Sequence, residues 1–282
     1  MKVGVIGLGL IGGSMAKAIK EKTDHQVFAW DMSDKIRSNA KLVGAVDGIL
    51  EEGNPTDCDL TIIAIYPGAT VAYIEKYAKD FKKGSVVVDC AGVKQLVCDA
   101  VEPIAKENGF LFCGAHPMAG LERSGFTYST ADLFNGASMV LTPYTGTDIA
   151  PMNDLSIFFK KLGFARMQVA TPKEHDQMIA YTSQLAHVVS SAYIKSSLSP
   201  NFKGFSAGSF HDMTRVAKMN ETMWTELFLA NSELLADEID ELVTRLQRFS
   251  NVIRDKHDVK LKAMLKDGKE KRLAVDEIKE FE

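Results

Sequence analysis

The sequence predicts an α/β fold in which a doubly wound sheet is followed by an all-helical C-terminal domain. Over about the first 115 residues, short apolar runs alternate with amphipathic helical stretches. This βαβ rhythm is typical of a sheet that is covered by helices on both faces. After Thr171-Pro172 the alternation gives way to helical periodicity. We therefore expect one domain over residues 1–170 and a second over residues 171–282.

Seven segments of the first domain are predicted strands, because each is short and mostly apolar. In chain order they are Lys2–Ile6, Gln26–Trp30, Leu60–Ile65, Ser85–Asp89, Leu111–Cys113, Ser138–Thr142 and Phe164–Val169. The intervening amphipathic stretches predict helices, among them Ile11–Lys22, Lys35–Val43 and Thr70–Asp80. A further short strand is expected to close at His116, where Pro117 stops it.

The second domain shows helical periodicity over Glu174–Ser197, then a Gly/Ser-rich break at Ser199–Gly208, and then helix again. From Asp237 onward, apolar residues recur at alternating spacings of three and four, at Ile239, Leu242, Leu246, Phe249 and Ile253. This spacing predicts an amphipathic helix with a narrow apolar seam. Burial within its own domain and a subunit interface explain the seam equally well. The charged stretch Lys266–Glu282 predicts a solvated terminal helix or a frayed tail.

The composition of the 282 residues excludes several classes of protein. With 37 acidic and 33 basic side chains the net charge is −4, so no basic field attracts nucleic acid or an anionic membrane. No apolar run approaches the roughly 18 residues that span a bilayer, and we expect no signal peptide, because glycines interrupt the N-terminus before its apolar region could form. We expect a cytoplasmic protein without a metal site, because four cysteines lie far apart, at Cys58, Cys90, Cys98 and Cys113.

A glycine-rich motif follows the first predicted strand and opens the first helix, with the sequence Gly7-Leu8-Gly9-Leu10-Ile11-Gly12. In this context G-x-G-x-x-G indicates a Rossmann-type dinucleotide site. Gly7 permits the tight turn, Gly9 lets the backbone approach the pyrophosphate, and Gly12 allows close helix–strand packing. The phosphates are expected at the positive end of the helix that begins near Leu10.

Asp31 ends the second strand, about 20 residues beyond the glycines, where a carboxylate accepts hydrogen bonds from the adenosine ribose. A carboxylate there repels a 2′-phosphate, and Met32-Ser33 supplies no arginine to receive one. The pattern therefore favours NAD over NADP as the cofactor. The alternative is a generic strand–turn–helix with a surface aspartate.

His116 is the first candidate for chemistry, because ligands bind at the carboxyl edge of an open α/β sheet. A histidine near a turn is equally compatible with a structural role. Ser183 and His187 lie four residues apart on one helix face, where His187 could also be a core histidine bonded to a carbonyl. Asp212 and Arg215 are three apart and, taken alone, indicate a helical ion pair.

Four motifs follow one another along the chain: Gly7-Leu8-Gly9-Leu10-Ile11-Gly12-Gly13-Ser14, His116-Pro117-Met118-Ala119-Gly120, Leu185-Ala186-His187 and Asp212-Met213-Thr214-Arg215-Val216-Ala217. Together with Met223-Trp224 and Asn231, they resemble the prephenate/arogenate dehydrogenase family of tyrosine biosynthesis. The resemblance covers nearly the whole chain, and the combination is specific although each motif alone is not.

The resemblance implies roles for individual residues. His116 resembles the catalytic histidine that bonds the ring 4-hydroxyl of the substrate, and Arg215 the arginine that binds a substrate carboxylate. His187 resembles a histidine that lines the same pocket. Four further positions match residues that shape or gate the pocket, namely Glu122, Asp212, His175 and Trp224.

The family also implies an activity and an assembly. The expected reaction is NAD-dependent oxidative decarboxylation of prephenate to 4-hydroxyphenylpyruvate, by a homodimer built through the C-terminal helices. Arogenate is the alternative substrate, and no residue in the sequence decides between the two.

Two positions depart from the family pattern. Gly92 stands where many relatives have a serine, and Gln184 where relatives often have another histidine. We expect the reaction to persist, with water or backbone in place of the serine hydroxyl.

Two other classes remain open. A β-hydroxyacid dehydrogenase would need a lysine and an asparagine about one turn apart, whereas Lys218 and Asn220 are two apart and do not share a face. A non-catalytic nicotinamide sensor would leave His116, His187 and Arg215 without a common purpose.

Overall fold

A computed structural model describes residues 1–144 and 149–278. Its eight strands are β1 Lys2–Ile6, β2 Gln26–Trp30, β3 Gly48–Ile49, β4 Leu60–Ile63, β5 Val86–Asp89, β6 Leu111–Met118, β7 Ser138–Pro143 and β8 Arg166–Val169. The helices of the described ranges are α1 Leu10–Lys22, α2 Asp34–Leu42, α3 Pro67–Tyr77, α4 Gln95–Asn108, α5 Ile149–Lys161, α6 Pro172–Ile179, α7 Leu185–Tyr193, α8 Gly208–Thr214, α9 Glu221–Ala230, α10 Ser232–Arg254 and α11 Asp258–Glu277.

The strands form one sheet in the order β3-β2-β1-β4-β5-β6-β7-β8, in which only the β6–β7 pair is antiparallel. Strand order reverses beside β1, which lies between β2 and β4. The carboxyl ends of the parallel strands at such a switch point frame the crevice where ligands bind. This arrangement, with a helical region after β8, confirms the predicted α/β fold class.

Both faces of the sheet are buried, because neighbouring residues of one strand join different cores. Ile62 and Val88 face a core that α1 and α5 cover, with Met15 and Phe159. Ile63 and Val87 face a second core that α3 and α4 cover, with Tyr77 and Val101. This placement explains why the central strands are apolar at nearly every position.

The strand that carries His116 is longer than the sequence predicts. Leu111–Met118 is continuous, so the expectation that Pro117 stops the strand at His116 is wrong. From Gly114 onward β6 pairs with β7 alone, since its register with β5 ends at Cys113. A proline is tolerated where a strand lacks a partner on one side, because no ladder hydrogen bond is lost there.

By internal contacts the chain separates into two compact units, residues 1–232 and the residues from 233 onward. The first unit holds the sheet and α1 to α9. The domain boundary expected near residue 170 stays a prediction. In the second unit, Leu246 and Ile253 of the predicted seam are 57% and 56% exposed. Within the described ranges, every helix is too short or too polar to cross a bilayer.

Candidate active site

The glycine-rich turn leaves no room for side chains at two of its positions. Gly7 has φ +85°, and a Cβ there would lie 2.6 Å from the Ala64 carbonyl oxygen. A Cβ on Gly12 would lie 1.9 Å from the Gly7 carbonyl oxygen, so α1 sits directly against the turn. At Gly9, by contrast, a Cβ would meet nothing within 4 Å. The turn therefore has no free space at Gly7 and Gly12 but has free space at Gly9. The free space at Gly9 fits the close approach of a pyrophosphate to the backbone.

Asp31 lies beside this turn. Its Oδ2 accepts the N–H of Leu8 at 2.9 Å, and its Oδ1 accepts the N–H of Ser33 at 2.9 Å. These bonds fix the carboxylate next to the glycine motif and leave it further acceptor positions for ribose hydroxyls. The residues present thus fit an adenine dinucleotide.

An arginine near Asp31 escaped the sequence analysis. Helix α2 brings Arg37 back so that its guanidinium donates to the Asp31 carbonyl oxygen and to the Asp34 carboxylate. Met32-Ser33 supplies no arginine, but the fold places Arg37 next to Asp31. The helical spacing from the capping residue Ser33 is the signal that could have found it.

His116 lies in β6 opposite Val140 of β7, on a strand that runs parallel to β5 toward the carboxyl edge. Its Nδ1 is 2.9 Å from Nε2 of His175. Burial, with smaller contributions from His175 and Lys94, holds the pKa of His116 well below its ordinary value of 6.5. The imidazole is therefore neutral at neutral pH and can accept a proton.

A buried ion pair supports the backbone next to His116. Lys94 is completely buried, and its Nζ donates to the Asp89 carboxylate and, at 2.8 Å, to the Ala115 carbonyl oxygen. Asp89 Oδ1 accepts the N–H of Ala115 at 3.1 Å. The pair thus clamps Ala115, and sequence analysis assigned neither residue a role. The only feature of the sequence that indicates this pair is an aspartate and a lysine on either side of a short loop that follows an apolar strand.

Arg215 pairs with a residue distant in sequence. Its NH1 donates to Glu122 Oε1 at 2.7 Å, with both side chains about half exposed. The expectation of an ion pair with Asp212 is wrong, because α8 ends at Thr214 and Arg215 begins a separate 3₁₀ turn. Glu122 and Arg215 therefore form an ion pair that the sequence analysis does not predict, whereas no described ion pair or side-chain hydrogen bond includes Asp212.

His187 and Trp224 also come together. Their ring centroids are 3.9 Å apart, and Nδ1 of His187 donates to the Ser183 carbonyl oxygen at 2.9 Å. Burial lowers the pKa of His187, and nearby Arg215 lowers it further. Ser183 belongs to a π-helical turn, Ala180–Gln184, between α6 and α7. Because Nδ1 donates to the carbonyl oxygen, Nε2 of His187 remains available as an acceptor. His187 can therefore be bonded to the backbone and line a substrate pocket at the same time.

The structure shows which residues contact the two positions that depart from the family pattern. A Cβ on Gly92 would lie 3.2 Å from Leu227 Cδ2, so a leucine of α9 occupies the space near this position. Gln184 is buried and is bonded to Asn231 at 2.8 Å and to the Leu227 carbonyl oxygen at 3.1 Å. Its amide joins the π-helical turn that precedes α7 to α9, which is a structural role.

The site combines a dinucleotide-binding turn with a neutral, desolvated histidine on a neighbouring strand of the same sheet, which defines the protein as a nucleotide-dependent oxidoreductase. Comparison with known families narrows this class. The prephenate dehydrogenase nucleotide-binding domain matches residues 15–169, and the prephenate dehydrogenase dimerization domain matches residues 171–267. The chain belongs to the prephenate dehydrogenase family. The first match begins after the glycine-rich turn.

Individual relatives agree with this assignment. Cyclohexadienyl dehydrogenase of Zymomonas mobilis is 28% identical over 97% of this chain and 95% of that protein. Prephenate dehydrogenase of Bacillus subtilis is 28% identical over 94% of this chain and 74% of that protein. The solved structure of prephenate dehydrogenase from A. aeolicus, in complex with hydroxyphenyl propionate and NAD+, is 26% identical with a TM-score of 0.82 and covers 98% of both chains.

Proposed function

We propose that this chain is an NAD-dependent prephenate dehydrogenase, which converts prephenate to 4-hydroxyphenylpyruvate and carbon dioxide in tyrosine biosynthesis. The observation that carries the proposal is the neutral imidazole of His116 on the sheet that also carries the glycine-rich turn. Membership of the family and the names of the relatives support the same reaction.

The glycine-rich turn and Asp31 hold NAD, whose nicotinamide accepts the hydride from the carbinol carbon of the substrate. Gly9 lets the backbone reach the pyrophosphate, and the N-terminus of α1 stabilises its negative charge. Asp31 accepts hydrogen bonds from the ribose. These residues bind and align the cofactor.

His116 acts as the general base. It receives the proton of the substrate's ring hydroxyl as hydride leaves the same carbon, and the resulting ketone draws the electrons of the departing carboxylate into the ring. Carbon dioxide is lost, the ring becomes aromatic, and the proton on the imidazole returns to the ring oxygen, which gives the phenol of 4-hydroxyphenylpyruvate. The low pKa of His116 keeps this base unprotonated before the reaction.

Arg215 binds a carboxylate of the substrate. A guanidinium carries five N–H donors, and the contact with Glu122 uses one nitrogen, NH1. The remaining donors can form the bidentate pair that a planar carboxylate favours. Glu122 holds the arginine in place, while His187 and Trp224 form a neighbouring wall of the pocket.

A direct assay tests the function. Formation of reduced nicotinamide is followed with prephenate and with arogenate, each in the presence of NAD and of NADP, and the four values of kcat/KM are compared. The highest value is expected for prephenate with NAD. A higher value for arogenate identifies an arogenate dehydrogenase, and no turnover with either substrate identifies a non-catalytic nucleotide binder.

The homodimer is part of the same proposal. It is supported by the match to a dimerization domain over residues 171–267 and by the exposed apolar residues Leu246 and Ile253. Sedimentation equilibrium over a range of protein concentrations is expected to show twice the mass of the chain. A concentration-independent monomer would contradict the assembly.

A further inference from the structure

A chain of short hydrogen bonds runs from His116 into the protein. Nδ1 of His116 lies 2.9 Å from Nε2 of His175, and Nδ1 of His175 lies 2.7 Å from Oδ1 of Asp176. His175 and Asp176 are both buried, at 3% and 1% exposure. All three residues belong to the first compact unit. Asp176 has no role in the function described so far.

The order of donors and acceptors along this chain follows from its far end. An ionised carboxylate only accepts hydrogen bonds, so Nδ1 of His175 must be the donor to Asp176. A neutral His175 then has a lone pair on Nε2, and Nδ1 of His116 donates to it. The proton of the neutral His116 ring therefore resides on Nδ1, and Nε2 keeps the lone pair that a general base requires.

The fold gives the Asp176 carboxylate two backbone N–H donors in addition to His175. Its Oδ1 also accepts the N–H of Lys94 at 2.7 Å, and its Oδ2 accepts the N–H of Gln95 at 2.9 Å. These groups lie at the start of α4, a helix of 14 residues whose N-terminus favours negative charge. Asn231 donates to the Asp176 carbonyl oxygen at 2.9 Å, which fixes the main chain as well.

Local sequence explains why the two residues point inward together. Thr171 and Glu174 form a capping box that starts α6 at Pro172. Positions four and five of this helix are His175 and Asp176, and both are buried on the side toward β6 and α4. The capping box thus sets the rotation of α6 and the direction of both side chains.

We propose that Asp176 is a positioning residue which, through His175, holds His116 in the tautomer whose Nε2 is free to take the substrate proton. The proposal rests on the function of His116 as base. Once His116 is protonated, its positive charge lies one imidazole away from the Asp176 carboxylate. The ammonium of Lys94 opposes this cation less than a free lysine would, because Lys94 is paired with Asp89.

The tautomer is measured directly, without substrate or cofactor. Nitrogen-15 NMR of the imidazole rings in the full-length protein distinguishes a protonated nitrogen from an unprotonated one, and the signals of His116 are assigned by their loss in His116→Asn. The wild-type protein is expected to show a protonated Nδ1 and an unprotonated Nε2. The opposite tautomer in the wild type overturns the proposal, even if Asp176→Asn fails to fold.

The variant Asp176→Asn tests the link to catalysis. We expect a mixture of His116 tautomers and a kcat that falls at least about tenfold, up to the roughly 10²–10⁴-fold that a general base contributes, with KM and NAD affinity nearly unchanged. The matched control is Asp47→Asn, which removes a carboxylate that also accepts a backbone N–H, that of Val27 at 2.7 Å, away from His116. The control should retain the wild-type tautomer and kcat.

The outcomes separate the two proposals. An unchanged tautomer and kcat in Asp176→Asn would refute the role of Asp176, whatever the substrate. If the predicted tautomer is present but wild-type protein turns over neither prephenate nor arogenate, the proposed function is wrong. The hydrogen bonds from His116 through His175 to Asp176 are then still supported.

Discussion

The imidazole of His116 combines a partly buried position with a fixed partner on one ring nitrogen. Burial disfavours the charged ring, and the neighbours His175 and Lys94 disfavour it further. The pKa of His116 therefore lies below its ordinary value, and the ring is ready to accept a proton over the whole neutral range. The chemistry at this residue depends on groups that lie far from it in sequence.

Replacing His116 by asparagine should lower kcat by roughly 10²–10⁴-fold, because the general base is lost while the glycine-rich turn is untouched. NAD affinity, measured by titration of protein fluorescence, should be retained. Near-normal turnover in His116→Asn would contradict the assignment of the base.

Replacing Arg215 by lysine should raise the KM for the substrate at least about tenfold, because a point charge cannot form the bidentate pair. The Kd for NAD should change less than twofold, since Arg215 makes no contact with the glycine-rich turn among the described hydrogen bonds. Steady-state kinetics and NAD titration of the same protein preparation provide the comparison. Equal losses in both quantities would contradict a substrate role.

Among the elements, α1 and β1 show how closely local packing and cofactor binding are linked. At Gly12, α1 meets the turn that follows β1, since a Cβ there would lie 1.9 Å from the Gly7 carbonyl oxygen. The backbone must move to accept any side chain at this position. Gly9 differs, because the space next to it is open in the protein, and under the proposed function the nucleotide fills that space.

The pair Gly12→Ala and Gly9→Ala separates these two requirements. Gly12→Ala should destabilise the fold by about 1–3 kcal/mol, the usual cost of overpacking, and should weaken NAD binding as a consequence. Gly9→Ala should leave the unfolding temperature unchanged and weaken NAD binding alone. Thermal unfolding and NAD titration of both variants are the measurements. A loss of stability in Gly9→Ala would contradict the open space above the turn.

The sequence predicts some elements to the residue and misses others for physical reasons. β1 and β2 are predicted with their observed bounds, because strands buried on both faces are apolar throughout. β3 escapes prediction because it has only two residues. β6 extends through Pro117 because its pairing with β7 depends on a strand that lies about 20 residues further along the chain.

The candidate site divides in the same way. Residue types and motif spacing indicate His116, Arg215 and the glycines, since each type suits one kind of chemistry. The tertiary fold determines the contacts between residues that are distant in sequence. His116 and His175 are 59 residues apart, and Arg215 and Glu122 are 93 residues apart. No spacing rule predicts these contacts, so the sequence alone indicates no role for Asp176 or Lys94.

For the whole molecule, the histidines that are kept neutral determine how stability responds to acid. The pKa values of His116, His187 and His25 all lie below the ordinary histidine value in the fold, with burial as the largest cause. The folded chain binds protons at these residues only at lower pH than the unfolded chain, which begins to bind them at about pH 6.5. Their contribution to stability is therefore complete above that pH and is lost as the pH falls.

The free energy of unfolding should consequently decrease between pH 7 and pH 5. A histidine that stays neutral throughout contributes a slope of about 1.4 kcal/mol per pH unit below its unfolded pKa. Urea unfolding at several pH values measures the slope, and His116→Asn should reduce it. Aspartates with lowered pKa, such as Asp47 and Asp59, lose their contribution only near and below about pH 4. A free energy of unfolding that does not change between pH 7 and pH 5 would contradict the conclusion that the fold keeps these histidines neutral.

The ion pair of Asp89 and Lys94 also limits how such a sequence can change over generations. Replacing either residue alone leaves one charge buried and unpaired, at a cost of about 3–5 kcal/mol. A typical protein has only about 5–15 kcal/mol of stability in total, so such an intermediate loses much of its margin. The two positions are therefore expected to change together, in a double substitution, rather than one at a time.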